Sequence, residues 1–207
     1  MKITQDAIIN VSHEVTKADG TNDGIWFFGN RLNIEDELII GFSPTNYHCF
    51  IICGDYEFHP RFSINNCKLG PSRKNNIRAA FFIRIKNIPK NDILKFQIYM
   101  EDIKGKRTPT CHTGLLQILD RGIGLKIPQH SIFKTTPKSF LTGVMERGIV
   151  DINKNSLELE VYSIRNKPLD MIYKDIALVN LKFGWIFKLS NMYFRILRLF
   201  RPEILVR

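Results

Sequence analysis

Short runs rich in apolar and aromatic residues fill much of the first half of the chain, and their length and composition predict β-strands. Gly54 and Asp55 separate two of these runs by a tight-turn signal, which indicates a β-hairpin. One further run follows near residue 160. The predicted strands cover residues 37–42, 47–53, 56–59, 76–88 and 157–164. Together they predict an antiparallel sheet.

A helix is predicted over residues 108–121, because threonine can cap its start, Pro109 fits the first turn and Gly122 can end it. Cys111 then lies in the first turn, on the face that turns Leu115 and either Ile118 or Leu119 towards the core. His112 is predicted to point elsewhere. Residues 92–102 fit either a strand or a short helix, and the recurring glycine and proline of residues 122–150 predict loops with short elements.

These elements predict an α+β fold in which an antiparallel sheet with a histidine-bearing hairpin packs against a helix that begins near Cys111. We expect one domain over residues 1–176 and a distinct basic segment over residues 177–207. Basic and apolar residues alternate there at helical spacing, and the charges interrupt any apolar run of the ~20 residues needed to span a membrane. The pattern favours an amphipathic helix in the plane of a membrane, with a core helix that extends its basic side chains to solvent as the alternative.

The net charge of the chain indicates which class of partner it favours. The chain has 207 residues, an ordinary 44% hydrophobic content and a formal net charge of +10. Such a charge favours anionic partners, namely lipid headgroups, nucleic acid or a bacterial wall polymer. The sequence contains no recognisable RNA-binding strand motif, helix-turn-helix or zinc knuckle, so nucleic-acid binding would depend on charge alone and is not favoured.

The four cysteines predict reduced thiols. Cys49 and Cys53 lie on one face of a strand, which is poor geometry for a disulfide, and this favours a reducing, cytoplasmic location with a peripheral membrane association as an option. No signal peptide is visible in residues 1–15. A zinc site from Cys49, Cys53, His59 and Cys67 lacks a Cys-x-x-Cys knuckle, so neither a metal nor another cofactor is expected.

Catalytic chemistry is predicted for Cys111, His48 and His59. A nucleophilic thiol needs a nearby imidazole and a third polar group that orients the imidazole. Alternation places His48 on the face opposite Cys49, which is predicted to be a small buried hydrophobe. Glu57 and His59 share a face of the second hairpin strand, and either could orient His48.

The surroundings predicted for Cys111 favour its thiolate. Unpaired amides and the positive end of the helix dipole at a helix start lower the pKa of a thiol. Lys106 and Arg107 precede the cysteine and strengthen that field.

The order of these motifs resembles a known family. A strand histidine, a Gly-Asp turn, a second polar residue on the paired strand and a cysteine that opens a later helix are similar to the circularly permuted papain-like enzymes, which include NlpC-type amidases and the lecithin:retinol acyltransferase group. Residues 36–41 resemble the strand that leads into the hairpin there. The resemblance covers about residues 36–125, but Cys111 lacks the Asn before and the Glu after that are usual in the acyltransferases.

The resemblance and the residues together imply an acyl-transfer enzyme. We expect Cys111 to form a thioester, His48 to act as general base and His59 to orient His48, on a lipid-ester or amide substrate near a membrane. An amidase or peptidase that cleaves a peptide or peptidoglycan fragment is the alternative within the same fold. A non-catalytic basic module that binds nucleic acid or an anionic membrane is the alternative outside it.

Overall fold

The protein is described here from a computed structural model. The structure describes residues 8–11, 26–27, 30–31, 38–43, 48–54, 56–60, 68–71, 81–129, 136–164 and 168–205. Two residues of the sequence analysis lie outside these ranges, namely Cys67 of the zinc site considered there and Asp55 of the predicted hairpin turn.

A seven-stranded sheet forms the centre of the fold, with the spatial order β1-β9-β8-β4-β5-β6-β7. Every neighbouring pair is antiparallel except β1 and β9, which run parallel. β2 and β3 form a separate two-stranded ribbon. The strands are β1 (Ile8–Val11), β2 (Trp26–Phe27), β3 (Asn30–Arg31), β4 (Leu38–Ser43), β5 (His48–Cys53), β6 (Tyr56–His59), β7 (Lys68–Pro71), β8 (Phe81–Ile85) and β9 (Leu159–Ile164).

In the described part of the chain, four α-helices complete an α+β architecture, so the predicted fold class is confirmed at that level. The helices are α1 (Lys90–Ile103), α2 (Cys111–Ile123), α3 (Pro137–Arg147) and α4 (Leu169–Phe200), and a short 3₁₀ helix (Pro202–Ile204) follows. The ambiguous residues 92–102 therefore belong to a helix.

The prediction of loops over residues 122–150 is wrong in part, because α3 occupies the middle of this region. Thr136 caps α3, Ser139 completes a capping box, and Pro137 lies in the first turn, where proline is well tolerated. The proline and glycine of this region were interpreted from the sequence as turn residues. In α3, the proline instead begins the helix and the glycine lies within it. Gly143 is buried inside α3.

Helix α2 begins three residues and ends two residues later than its predicted bounds. Thr110 is the N-cap, its hydroxyl accepts a hydrogen bond from the backbone N–H of Thr113, and Cys111 is the first helical residue. The helix continues through Gly122, and the absence of a side chain there leaves room for the ring of Phe96 against the helix. It ends at Gly124, which adopts a left-handed conformation with φ 72°.

The hydrophobic core lies between one face of the sheet and the helices. Cys49, Ile51 and Cys53 of β5 project into this core together with apolar residues of α1, α2 and α3. His48 and Phe50 project to the other face, where their rings stack. The alternation predicted for β5 is therefore what the strand adopts, and it separates Cys49 from His48.

Helix α4 has 32 residues and continues without a break through the predicted domain boundary between residues 176 and 177. Its inner face is buried against the domain, whereas its outer face exposes large apolar side chains. The buried side chains are Ile172, Ile176, Val179, Phe187, Ser190 and Phe194. Among the described residues, no helix is long and apolar enough to cross a membrane.

Candidate thiol–histidine site

The structure brings the three predicted site residues to one end of the β5–β6 hairpin. His48 is the first residue of β5 and His59 is the last residue of β6, so hairpin pairing places both imidazoles at the same end. Cys111 is the first residue of α2, which packs on β5. The Cys111 thiol interacts with the side chains of both His48 and Cys49, although these two residues project to opposite faces of the sheet.

A chain of short hydrogen bonds joins the two histidines to a buried carboxylate. Nε2 of His48 lies 2.6 Å from Nδ1 of His59, and Nε2 of His59 lies 2.5 Å from Oε1 of Glu57. A carboxylate accepts hydrogen bonds, so Nε2 of His59 carries the proton in this pair. Nδ1 of neutral His59 then accepts from His48 Nε2–H, which leaves Nδ1 of His48 as the nitrogen that can take a proton.

The two candidates for the orienting residue lie in series. His59 is within hydrogen-bond distance of His48, and Glu57, only 2% exposed, holds His59 from the other side. Both residues that the sequence left as alternatives therefore belong to one chain of contacts.

Aromatic packing holds this chain in place. The rings of His48 and His59 lie side by side with their planes 6° apart, as their hydrogen bond requires, and the ring of Phe50 lies within 28° of parallel to both. Phe50 pairs in register with Gly41 of β4, and a Cβ atom built on Gly41 would lie 2.1 Å from the Phe50 ring. Only glycine at position 41 leaves room for the ring that supports the two imidazoles.

The Cys111 thiol is buried, at 7% exposure, and is surrounded by polar groups. A hydrogen bond from the Cys49 thiol holds the pKa of Cys111 well below its ordinary value, and His112 and His48 act in the same direction against the opposing effect of burial. Burial raises the pKa of Cys49, and its hydrogen bond to Cys111 adds to this. Of the two thiols, Cys111 is therefore the one that loses its proton more readily.

His112 was predicted to point away from the site, and this prediction is wrong. Its Nδ1 lies 3.5 Å from the Cys111 sulfur, and its fully buried ring is enclosed by Phe42, Phe140 and Phe187. Successive residues of a helix project about 100° apart, which suggested separate surroundings. At the first turn, however, β5 and α4 approach the helix end from two sides and enclose both side chains.

The segment before Cys111 is anchored by the C-terminal part of the chain. The Ser190 hydroxyl of α4 donates a hydrogen bond to the Pro109 carbonyl, and the backbone N–H of Arg107 donates to the Ile204 carbonyl at 2.8 Å. Thr108 is fully buried against Gly114, where a Cβ would collide with its side chain. The position of the thiol therefore depends on residues more than 70 positions away, which no local pattern indicated.

Three side chains at the site have the chemistry of metal ligands. The sulfurs of Cys49 and Cys111 and a ring nitrogen of His112 all lie within 4.8 Å of one another, and all three residues are buried. The zinc site considered from the sequence combined different residues. Its Cys53 lies apart, with its thiol 3.8 Å from the Ile93 carbonyl oxygen.

Cys49 and His112 were missed as site residues for two reasons. Cys49 alternates away from His48, and His112 follows Cys111 on a helix. The neighbouring Cys-His pair in the sequence was the one local sign of a second imidazole near the thiol.

Comparisons of the whole chain with protein-family models, with curated proteins and with solved structures find no match.

Proposed function

We propose that the protein is a thiol-dependent acyl-transfer enzyme in which Cys111 is the nucleophile. The observation that carries the proposal is the chain of contacts from His48 through His59 to the buried Glu57 carboxylate, which begins at an imidazole that helps to lower the pKa of the Cys111 thiol. A thiol, a base, and groups that orient the base are the parts that nucleophilic acyl chemistry needs.

The reaction divides into two transfers of the acyl group. The Cys111 sulfur attacks the acyl carbonyl while His48 holds the thiol proton at Nδ1, and the carbonyl carbon–heteroatom bond then breaks. His48 gives its proton to the departing alkoxide or amine, which leaves a thioester on Cys111. Water or an acceptor nucleophile attacks the thioester, His48 takes its proton, and the thiolate returns.

The negative oxygen that develops in each transfer needs a hydrogen-bond donor. Backbone N–H groups in the first turn of a helix have no partner within the helix, so the amide of Cys111 is the donor that the position of the residue supplies. His59 and Glu57 stabilise the imidazolium form of His48 in the same steps, because the buried carboxylate lies at the end of the chain.

The arrangement supports a permuted papain-like fold type with a lipid ester or an amide as substrate. The closeness of the site to α4 favours the lipid ester. Phe187 of α4 packs on His112 and Ser190 anchors Pro109, so the helix that forms one wall of the site also bears an exposed apolar surface. An amidase that acts on a peptide or wall fragment would use the same residues.

The exposed surface of α4 favours a location at an anionic membrane. We define the outer stripe as Leu178, Leu181, Trp185, Leu189, Met192, Ile196 and Leu199, which recur every three or four residues and are all 49% exposed or more. Lys182 borders the stripe on one side and Lys188 on the other, as their spacing along the helix requires. An apolar stripe with basic edges is typical of helices that lie in the membrane interface.

Trapping the acyl-enzyme tests the proposal. The protein is incubated with p-nitrophenyl acetate, a donor small enough to need no membrane, and the adduct is located by peptide mass spectrometry. We expect one acetyl group on Cys111 that neutral hydroxylamine removes, none in Cys111→Ala, and an unchanged adduct in Cys53→Ala. Acetylation spread equally over the cysteines, or none at all, would refute the thiol chemistry.

Vesicle binding tests the location separately. Each basic residue near an anionic surface contributes roughly 1 kcal/mol, so Lys182→Glu with Lys188→Glu should weaken binding at least about 30-fold. The control, Lys95→Glu with Lys104→Glu on and just after α1, changes the net charge equally and should bind nearly as wild type. Equal binding by both double variants, or binding to neutral and anionic vesicles alike, would contradict the placement of α4 at the membrane.

A further inference from the structure

Two buried side chains at the thiol are neither nucleophile nor base in the acyl-transfer scheme. Cys49 and His112 are both fully buried, and each is directed at the sulfur of Cys111. The site therefore holds two sulfurs and an imidazole nitrogen within 4.8 Å of one another. That set has a chemistry of its own, since thiolate and imidazole are the ligands that soft transition metals prefer.

We propose that Cys49, Cys111 and His112 bind one tetrahedral metal ion of the Zn²⁺ class through their two sulfurs and Nδ1 of the imidazole. With the usual zinc–sulfur and zinc–nitrogen bonds, sulfur and nitrogen ligands lie about 3.6 Å apart and two sulfurs about 3.8 Å apart. The observed separation of 3.5 Å between Cys111 Sγ and His112 Nδ1 matches the first value. The limit of 4.8 Å on the two sulfurs leaves a movement of about 1 Å at most to reach the second.

The three side chains fill three positions of a tetrahedral ion and leave the fourth open. His48 is not in the group whose ligand atoms lie within 4.8 Å of one another, so it is assigned no bond to the ion. Its Nε2 is engaged with His59, which contacts Glu57.

Charge balance favours a divalent ion here. Two thiolates neutralise a dication, so the loaded site carries no net charge among the aromatic rings around His112. Cys49 releases its proton when the ion binds, and affinity should therefore rise with pH. Because the ion occupies the sulfur that would attack a carbonyl, metal binding and acyl transfer exclude each other.

Titration with Co²⁺, a coloured substitute for Zn²⁺, tests the site in the reduced full-length protein. Thiolate ligation gives intense sulfur-to-cobalt absorption, and Zn²⁺ should displace one Co²⁺ per chain. Loss of an outer-shell partner typically costs 10–100-fold in metal affinity, so loss of a ligand in Cys49→Ser or His112→Phe should weaken binding at least about tenfold. His112→Phe suits this purpose because phenylalanine fits the aromatic surroundings. Cys53→Ser, on the same strand, is the matched control and should bind as wild type.

The two proposals fail separately. Metal binding does not depend on the acyl-transfer function, and the acetyl adduct on Cys111 is measured without metal. Absence of sulfur-to-cobalt absorption in the folded wild-type protein would overturn the metal site. So would cobalt absorption and affinity that are unchanged in both Cys49→Ser and Cys111→Ser. One Zn²⁺ per chain, lost in those variants and kept in Cys53→Ser, supports the site even if no acyl adduct forms.

Discussion

Two histidines contact the same sulfur from opposite surroundings. His48 belongs to a hydrogen-bond chain that ends in the buried carboxylate of Glu57. His112 lies among the rings of Phe42, Phe140 and Phe187, and its Nε2 has no hydrogen-bond partner in the described part of the chain.

This contrast assigns different roles to the two imidazoles. A general base must accept a proton and hold the resulting positive charge through the transfer, and a carboxylate at the end of a hydrogen-bond chain stabilises that charge. Aromatic rings and an unpaired nitrogen do less to stabilise it. His48 is therefore suited to proton transfer, and His112 to supporting the thiolate or binding a metal.

The largest expected effect comes from substituting each of the two histidines separately. His48→Asn should slow acetylation of Cys111 by roughly 10²- to 10⁴-fold, because proton transfer by a positioned base contributes about that much. His112→Phe should slow it by about tenfold or less, because it removes one of several groups that stabilise the thiolate. The rate of p-nitrophenol release from p-nitrophenyl acetate measures both. A larger loss in His112→Phe than in His48→Asn would reverse the assignment.

Removing the carboxylate should have the next largest effect. Glu57→Gln keeps the size of the side chain but ends the chain in a neutral amide, so acetylation should slow by roughly tenfold to 100-fold. If Glu57 acts through His48, adding Glu57→Gln to His48→Asn should cost little more. Losses that simply multiply in the double variant would show that Glu57 acts by another route.

A change in the packing that supports His48 should lower the stability of the folded protein. Gly41→Ala pushes a methyl group into the Phe50 ring, and overpacking of this kind costs typically 1–3 kcal/mol in the free energy of unfolding. Gly184→Ala in α4 is the matched control, because its new methyl group would meet no atom closer than 3.9 Å. Urea unfolding measures both variants, and equal stability of Gly41→Ala and wild type would contradict the account of the support under the imidazoles.

The smallest effect concerns helix caps. Thr110→Ala and Thr136→Ala each remove the side-chain cap of a helix and should each cost about 1 kcal/mol of stability. Only Thr110→Ala should also slow alkylation of Cys111, by severalfold, since α3 begins elsewhere. Equal alkylation rates in the two variants would show that the Thr110 cap does not affect the reactivity of the Cys111 thiol.

The strands and the start of α2 were accessible from sequence because their signals are local. Short apolar and aromatic runs located β4, β5, β6, β8 and β9 to within a few residues over the described part of the chain, and the threonine before Cys111 identified a helix start. The first five residues of the predicted β8, 76–80, lie outside the described residues. Helix α3 was missed because proline and glycine suggest turns and helix starts alike. Nothing local indicates that β1 pairs in parallel with β9, since this pairing joins opposite ends of the chain.

The site was accessible only in its separate parts. Cys111, His48 and His59 were predicted as site residues from their positions on predicted elements, and the structure brings them to one end of the β5–β6 hairpin. The approach of Cys49 and His112 to the sulfur depends on how α2, β5 and α4 meet, which is a property of tertiary packing. The two apolar faces of α4 were not separated for the same reason, because buried and exposed apolar residues look alike in sequence.

The pH dependence of Cys111 alkylation tests the central claim most directly. A thiol with an ordinary pKa of about 8.5 reacts faster as pH rises through that value. The groups around Cys111 lower its pKa, so its rate of reaction with iodoacetamide should already be at its plateau at neutral pH and fall only in acid. Burial raises the pKa of Cys53 to about 12, and this thiol serves as the unreactive reference within the same chain. A Cys111 rate that keeps rising through pH 9, as it should in the urea-unfolded protein, would contradict the account.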